Sequence, residues 1–180
     1  MNNRERYRSG EKALTRAEYE KILSVCDTFE DELFIRLAVA TGLRREDFVN
    51  IRIKDIDLSN RLLLFNERKK KRIRSIPLSK DLCSLIEKYV KIIPKEQERL
   101  FPFSSRTAYN RLQELCKKAG VAPRPFHALR ATCMKFCQHA GWTLEQTAAL
   151  VGDTIEVVQE HYLTPSFDEM REVVEEKKIS

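Results

Sequence analysis

Residues 124–165 read RPFHALRATCMKFCQHAGWTLEQTAALVGDTIEVVQEHYLTP. Pro125 suits the first turn of a helix, where its missing N–H would have had no partner, and the segment behind it carries His127 and Arg130. At i, i+3 these two side chains are neighbours on one helix face. Thr143 and Gln146 form a capping box that opens a second helix. Gly152 breaks it, and a third helix runs from Asp153 or Thr154 to Tyr162 before Pro165 ends it. The chemistry on offer is a phenol attacking phosphorus. A tyrosine is a weak nucleophile with an ordinary pKa of about 10, so nearby cations must neutralise the phosphate and lower the cost of the phenolate. The stretch also scans as a helix-turn-helix, with Ala148 and Ala149 in the first helix, Gly152 at the turn and Val157 and Val158 in the second. That second reading describes a DNA-binding regulator without covalent chemistry.

Upstream the pattern is mostly helical. Thr15 and Glu18 make another capping box, opening a helix through about Cys26 with Leu14 as its hydrophobic staple. Thr28 and Asp31 open the next, and Leu33, Phe34, Leu37, Ala38 and Ala40 give it an apolar stripe that ends at Gly42. Arg44 begins a short helix carrying Phe48, Val49 and Ile51. The period then changes: residues 61–66 (RLLLFN) and 72–77 (RIRSIP) are short and β-prone, and they flank the run ERKKK as a hairpin or as two strands of a three-stranded sheet. Ser79 caps a helix to about Ile92, Pro94 opens a loop, a helix over residues 105–119 closes at Gly120, and Ser166 caps a last, charged helix. The fold class expected is mainly α with a small antiparallel three-stranded β-sheet, an α+β domain.

Composition narrows the partner. The chain has 180 residues, 42% hydrophobic and 33% charged, ample for a core. It has no apolar run long enough to span a bilayer, and its polar start, MNNRERYRSG, predicts neither a signal peptide nor an anchor. The net charge of +6 favours a polyanion. Five cysteines lack the paired close spacings of a zinc site, and Cys133 and Cys137, at i, i+4 beside Met134 and Phe136, read as buried thiols. A reducing, cytoplasmic location is expected.

Two further motifs each read two ways. Thr41-Gly-Leu-Arg44 is either a helix C-cap followed by a solvated arginine or a sharp turn that aims Arg44 into a cleft. The run Arg68-Lys-Lys-Lys-Arg72, with Arg74, either guards a sheet edge in solvent or forms a hairpin tip facing phosphate, where alternate side chains point opposite ways. No balancing acid follows Glu67 in that run.

Taken in order, TGLR, a basic β-turn ending in IPL, HALR, and LVG-x8-HY resemble the catalytic domain of the tyrosine recombinases, the family of phage integrases, chromosome-dimer resolving recombinases and fimbrial invertases. The resemblance runs from about Leu14 to Pro165 and implies a site-specific recombinase that cuts and rejoins DNA through a 3′-phosphotyrosyl link. It implies Arg44 and Arg130 as the catalytic arginines, His127 as their proton-handling neighbour and Tyr162 as the nucleophile. Lys69 is implied as the β-turn lysine, with Lys70 and Lys71 as alternatives, and Arg68, Lys70, Lys71, Arg72 and Arg74 as DNA contacts. Residues 1–12, basic and without an apolar period, are expected to form a flexible leader, while the resemblance implies 13–165 as the catalytic domain and 166–180 as a tail helix able to dock on a neighbouring protomer. The implied partner is double-stranded DNA, with a homotetramer on DNA, a monomer or weak oligomer when free, and no membrane. No cofactor is expected, neither ATP nor metal, because one phosphodiester replaces another. A metal-dependent nuclease would need a carboxylate cluster, which these motifs lack.

Two departures accompany the likeness. Asp153 stands where the family usually has His or Trp. A full carboxylate about 4 Å from a phosphate repels it by roughly 4 kcal/mol at an effective dielectric near 20, so Asp153 must cap its helix, pair with an arginine or His127, or stay protonated. Capping or pairing is expected, with catalysis weakened and not abolished, and a recombinase disabled at this position is the alternative. The second is that the helical DNA-clamping domain usual in the family is not in the sequence, which leaves a natural single-domain member and an excised fragment both open.

Overall fold

Thr15 accepts from the Glu18 amide while the Glu18 carboxylate accepts from the Thr15 amide, and the expected box opens α1, Arg16–Ser24. Thr28 caps α2, Phe29–Thr41, through the Asp31 amide. Gly42 then ends α2 in the left-handed conformation at φ 58°, a position glycine takes at no steric cost. The computed structural model describes residues 12–67, 70–161 and 167–177.

The burial of α2 is wider than one stripe. Ile35 and Val39 are buried with Leu33, Phe34, Leu37 and Ala38, whereas Ala40 is exposed. The helix packs against two other helices, and a helix covered by more than one neighbour is apolar over most of its surface. Next come α3, Arg45–Val49, and a three-stranded antiparallel sheet in the order β1 (Ile56–Asp57), β2 (Leu62–Glu67), β3 (Arg72–Pro77). In β2 the side chains of Leu63, Phe65 and Glu67 are buried and those of Leu64 and Asn66 are exposed. The register sets Phe65 opposite Arg74 and Glu67 opposite Arg72.

Ser79 and Ser104 cap α4 (Lys80–Val90) and α5 (Ser105–Lys118). The last three long elements of the body are α6 (His127–His139), α7 (Leu144–Val151) and α8 (Ile155–His161), followed by α9 (Phe167–Glu176). α1, α3 and α4 stop earlier than the periodicity predicts, at Ser24, Val49 and Val90. Beyond each end the amides of Val25, Ile51 and Ile92 donate to carbonyls three residues back, so the final turn tightens away from α geometry. The start of α9 at Ser166 lies outside the described residues, as does Tyr162.

Phe34, Phe48, Phe101, Phe103 and Phe126 meet ring against ring in the main core. A second, smaller core joins α6 to α7 and α8 through Ala131, Cys133, Met134, Cys137, Ala148, Val151 and Val158. Cys133 and Cys137 are free, buried thiols within it, as expected. No helix among the described residues is long and apolar enough to cross a membrane. The cluster described next lies where the two cores adjoin.

Candidate active site

Gly42 brings the first arginine into place. A Cβ on it would sit 2.9 Å from Val151 Cγ1 and 3.1 Å from Cys133 Sγ, so only glycine lets the turn after α2 press onto α6 and α7. The chain emerges extended at Arg44, the N-cap residue of α3. Its guanidinium donates to Glu67 Oε1 at 3.1 Å and to Asp153 Oδ1 at 3.1 Å.

Arg130 arrives from α6 and is 2% exposed. One terminal nitrogen donates to the Gly42 carbonyl at 2.5 Å, and the other to Asp153 Oδ2. Arg44 and Arg130 therefore open onto the same point, each holding one oxygen of a single carboxylate. His127 sits a turn before Arg130 with its residue exposed. Desolvation of the ring, then the charges of Arg130, Arg44 and Lys12, outweigh Asp153 and lower its pKa from the ordinary imidazole value, which favours the neutral ring.

Asp153 pairs, as one of the two expectations had it, and does not cap. The N-cap role in α8 falls to Thr154, whose Oγ1 accepts from the Val157 amide at 3.3 Å. Burial works to raise the Asp153 pKa, but the hydrogen bond and charge of Arg130, followed by Arg44 and Lys70, outweigh it and lower the value to about 2.

The basic hairpin is only partly turned to solvent. Lys70 donates to the Gly152 carbonyl at 2.5 Å and lies 3.4 Å from Asp153 Oδ1. Arg72 bridges Glu67 Oε2 at 2.8 Å and the Gly152 carbonyl at 3.1 Å. Arg74 donates to the carbonyls of Ala149, Leu150 and Val151 at 3.0, 2.5 and 3.2 Å. Arg72 and Arg74, expected as DNA contacts, are engaged here by Glu67 and by the C-terminal end of α7, where exposed carbonyls and the helix dipole attract cations. Gly152 accommodates them, since its φ is 75° and a Cβ there would run into the Arg74 guanidinium. Lys71 is exposed, with φ 47°. Arg68, Lys69 and Tyr162 lie outside the described residues.

Glu67 belongs to the cluster although no motif in the sequence marks it. It is 1% exposed and joins Arg44 to Arg72. Burial opposes its ionisation, yet the hydrogen bond and charge of Arg72, with Arg74 and Lys70, lower its pKa. The available signal was the strand alternation that places it inward with Leu63 and Phe65. Lys12, read as the end of the leader, contributes charge to the His127 side of the cluster. Among the described residues no three His, Cys, Asp or Glu side chains form a metal-ligand set.

The α7–Gly152–α8 segment does have two helices joined by a tight turn. Its second helix reads IEVVQEH, with Glu156 in the first turn and no lysine or arginine. That is poor chemistry for a helix meant to lie against phosphates.

The pattern of the phage integrase family matches residues 12–168. The chain is 36% identical over 121 residues to tyrosine recombinase XerA of Saccharolobus solfataricus, a match covering 67% of this chain and 41% of that protein. Its fold superposes on the crystal structure of XerA recombinase with a TM-score of 0.80 at 18% identity, over 93% of this chain and 64% of the other. It also matches XerH site-specific recombinase bound to palindromic difH substrate in a post-cleavage complex, with a TM-score of 0.72 at 18% identity, over 93% of this chain and 52% of that one. The chain spans less than two thirds of each of these proteins.

Proposed function

Because this chain belongs to the phage integrase family, we propose that it is a tyrosine-type site-specific recombinase acting on double-stranded DNA. The observation that carries the reading is the convergence of Arg44 and Arg130 on the two oxygens of one carboxylate. Two guanidiniums so placed can hold two non-bridging oxygens of a phosphodiester and stabilise the charge that grows in a pentacoordinate transition state.

In this proposal the Tyr162 phenol oxygen attacks phosphorus and gives its proton to the neutral His127. A bond forms from Tyr162 to the 3′-phosphate, and the bond to the 5′-oxygen breaks. Lys69, with Lys70 and Lys71 as alternatives, protonates the departing oxygen. The 5′-hydroxyl of a partner strand then attacks the phosphotyrosyl link and releases Tyr162. Bond order is conserved, so neither ATP nor metal enters the balance. Glu67 acts beside these groups as a positioning residue that fixes Arg44.

Residues 13–165 form the catalytic domain in this reading, with 1–12 a basic leader. The assembly on DNA is a homotetramer, in which residues 166–180 dock on a neighbour through the exposed Met170, Val173 and Val174. The working location is the cytoplasm, on chromosomal or viral DNA.

A suicide DNA substrate, nicked so that the leaving 5′-end diffuses away, tests the proposal. The expected result is a denaturant-resistant protein–DNA adduct that forms in EDTA and disappears in Tyr162→Phe. Normal DNA binding with no adduct on any of a library of sites would turn the assignment towards a non-catalytic regulator.

A further inference from the structure

Asp153 sits in the place the proposed function reserves for DNA. Its Oδ1 takes Arg44 at 3.1 Å and Lys70 at 3.4 Å, and its Oδ2 takes Arg130. The other terminal nitrogen of Arg130 is occupied by the Gly42 carbonyl. A phosphate entering this cradle therefore meets donors already arranged around two oxygens of one anion.

Asp153 is also placed so that it can leave. It lies in the short connection between α7 and α8, after a left-handed Gly152. Its own amide is tied to the Ala148 carbonyl at 3.2 Å, but its carboxylate caps nothing, because Thr154 serves α8. Rotating the side chain out breaks ion pairs and leaves both helices intact. Among the described residues the cradle reaches solvent through Arg44 and Lys70, whose side chains are 29% and 33% exposed, while that of Asp153 is 10% exposed.

We propose that Asp153 is a built-in phosphate surrogate: it holds Arg44, Arg130 and Lys70 in register and keeps the cradle shut until a competing phosphate displaces it. The device rests on reading the cradle as a phosphate site. It makes binding a direct exchange of one anion for another, so the apparent affinity is reduced by the fraction of molecules with the carboxylate in place. Lys70 loses its Asp153 contact in the same exchange and keeps its bond to the Gly152 carbonyl, so its ammonium stays beside the entering phosphate.

The test uses inorganic phosphate as the probe, with the full chain titrated calorimetrically at constant ionic strength. Asp153→Asn is expected to bind phosphate at least about tenfold more tightly than the wild type, and phosphate should raise its melting temperature by more. Glu156→Gln removes the same charge from exposed α8 surface and is expected to leave phosphate affinity within about twofold. Equal affinities for Asp153→Asn and wild type, or equal tightening by Glu156→Gln, overturn the proposal. If Asp153→Asn does not fold, the wild type decides: saturating phosphate should move the Asp153 carboxyl carbon resonance towards that of a solvated aspartate. Phosphate binding that leaves this resonance in place, or no binding even at saturation of a denaturation-protection assay, rejects the exchange. The outcome is separable from that of the suicide substrate. Tightened phosphate binding without an adduct keeps the surrogate and sinks the enzyme; an adduct with unchanged phosphate affinity does the reverse.

Discussion

Asp153 titrates far from an ordinary aspartate because three cations face it, and that has a measurable cost in acid. Its pKa falls from 3.8 to about 2. A depressed folded value means the group stabilises the fold fully above pH 4 and loses that contribution as pH drops from about 4 to 2. The amount is on the order of 2 kcal/mol. Glu67 shifts in the same direction, so acid strikes both carboxylates that organise Arg44. Urea unfolding at pH 7, 4 and 2 should show wild-type stability dropping over the last interval. Asp153→Asn should show a smaller drop there, and identical slopes for the two proteins would detach the acid response from this residue.

At the scale of elements, the hairpin β2–β3 is fastened to the end of α7. Arg74 supplies three donors to the last carbonyls of that helix, and its guanidinium carbon lies 5.2 Å from the centre of the Phe65 ring. Arg74→Ala leaves those carbonyls without their cation and is expected to cost about 1–3 kcal/mol. Native-state amide exchange locates the damage: protection should fall first in the final turn of α7 and in residues 152–154, while the amides of α2 stay protected. Uniform loss across the chain would mean that the clamp carries no local role. A run of cations in sequence thus divides into different duties once the strand register is known. Arg72 and Arg74 fasten the hairpin, Lys70 reaches Asp153, and Lys71 remains outside.

The whole molecule joins a large aromatic core to a smaller one, and the cluster draws on both. Arg44 follows α2 and Glu67 ends β2, both walls of the main core, whereas Asp153 lies between the helices of the smaller one. α6 belongs to each, with Leu129 and Phe136 in the first and Ala131 and Met134 in the second. This sharing should couple their unfolding. Met134 is 0% exposed, and Met134→Ala is expected to cost about 2–5 kcal/mol. Monitored by fluorescence and by circular dichroism, the variant should still unfold in one coincident transition. Two separated transitions would show the smaller core to be an independent unit.

Helix starts, the strand pair and the ordered motifs could be read from residues alone, because caps, left-handed glycines and short β-prone runs act through neighbours a few positions away. Thr15, Thr28, Ser79 and Thr143 cap the helices they were expected to cap. The width of the apolar face on α2 could not be read in this way, since it depends on which helices lie against it. Nor could the role of Glu67, an acid before a basic run until the register turns it inward beneath Arg44. Asp153 shows the division most clearly. Its position beside Gly152 follows from local order, while its effect depends on two arginines remote in sequence. Their meeting on its carboxylate is a matter of packing, because only the close approach of Gly42 to α6 and α7 brings them to one anion.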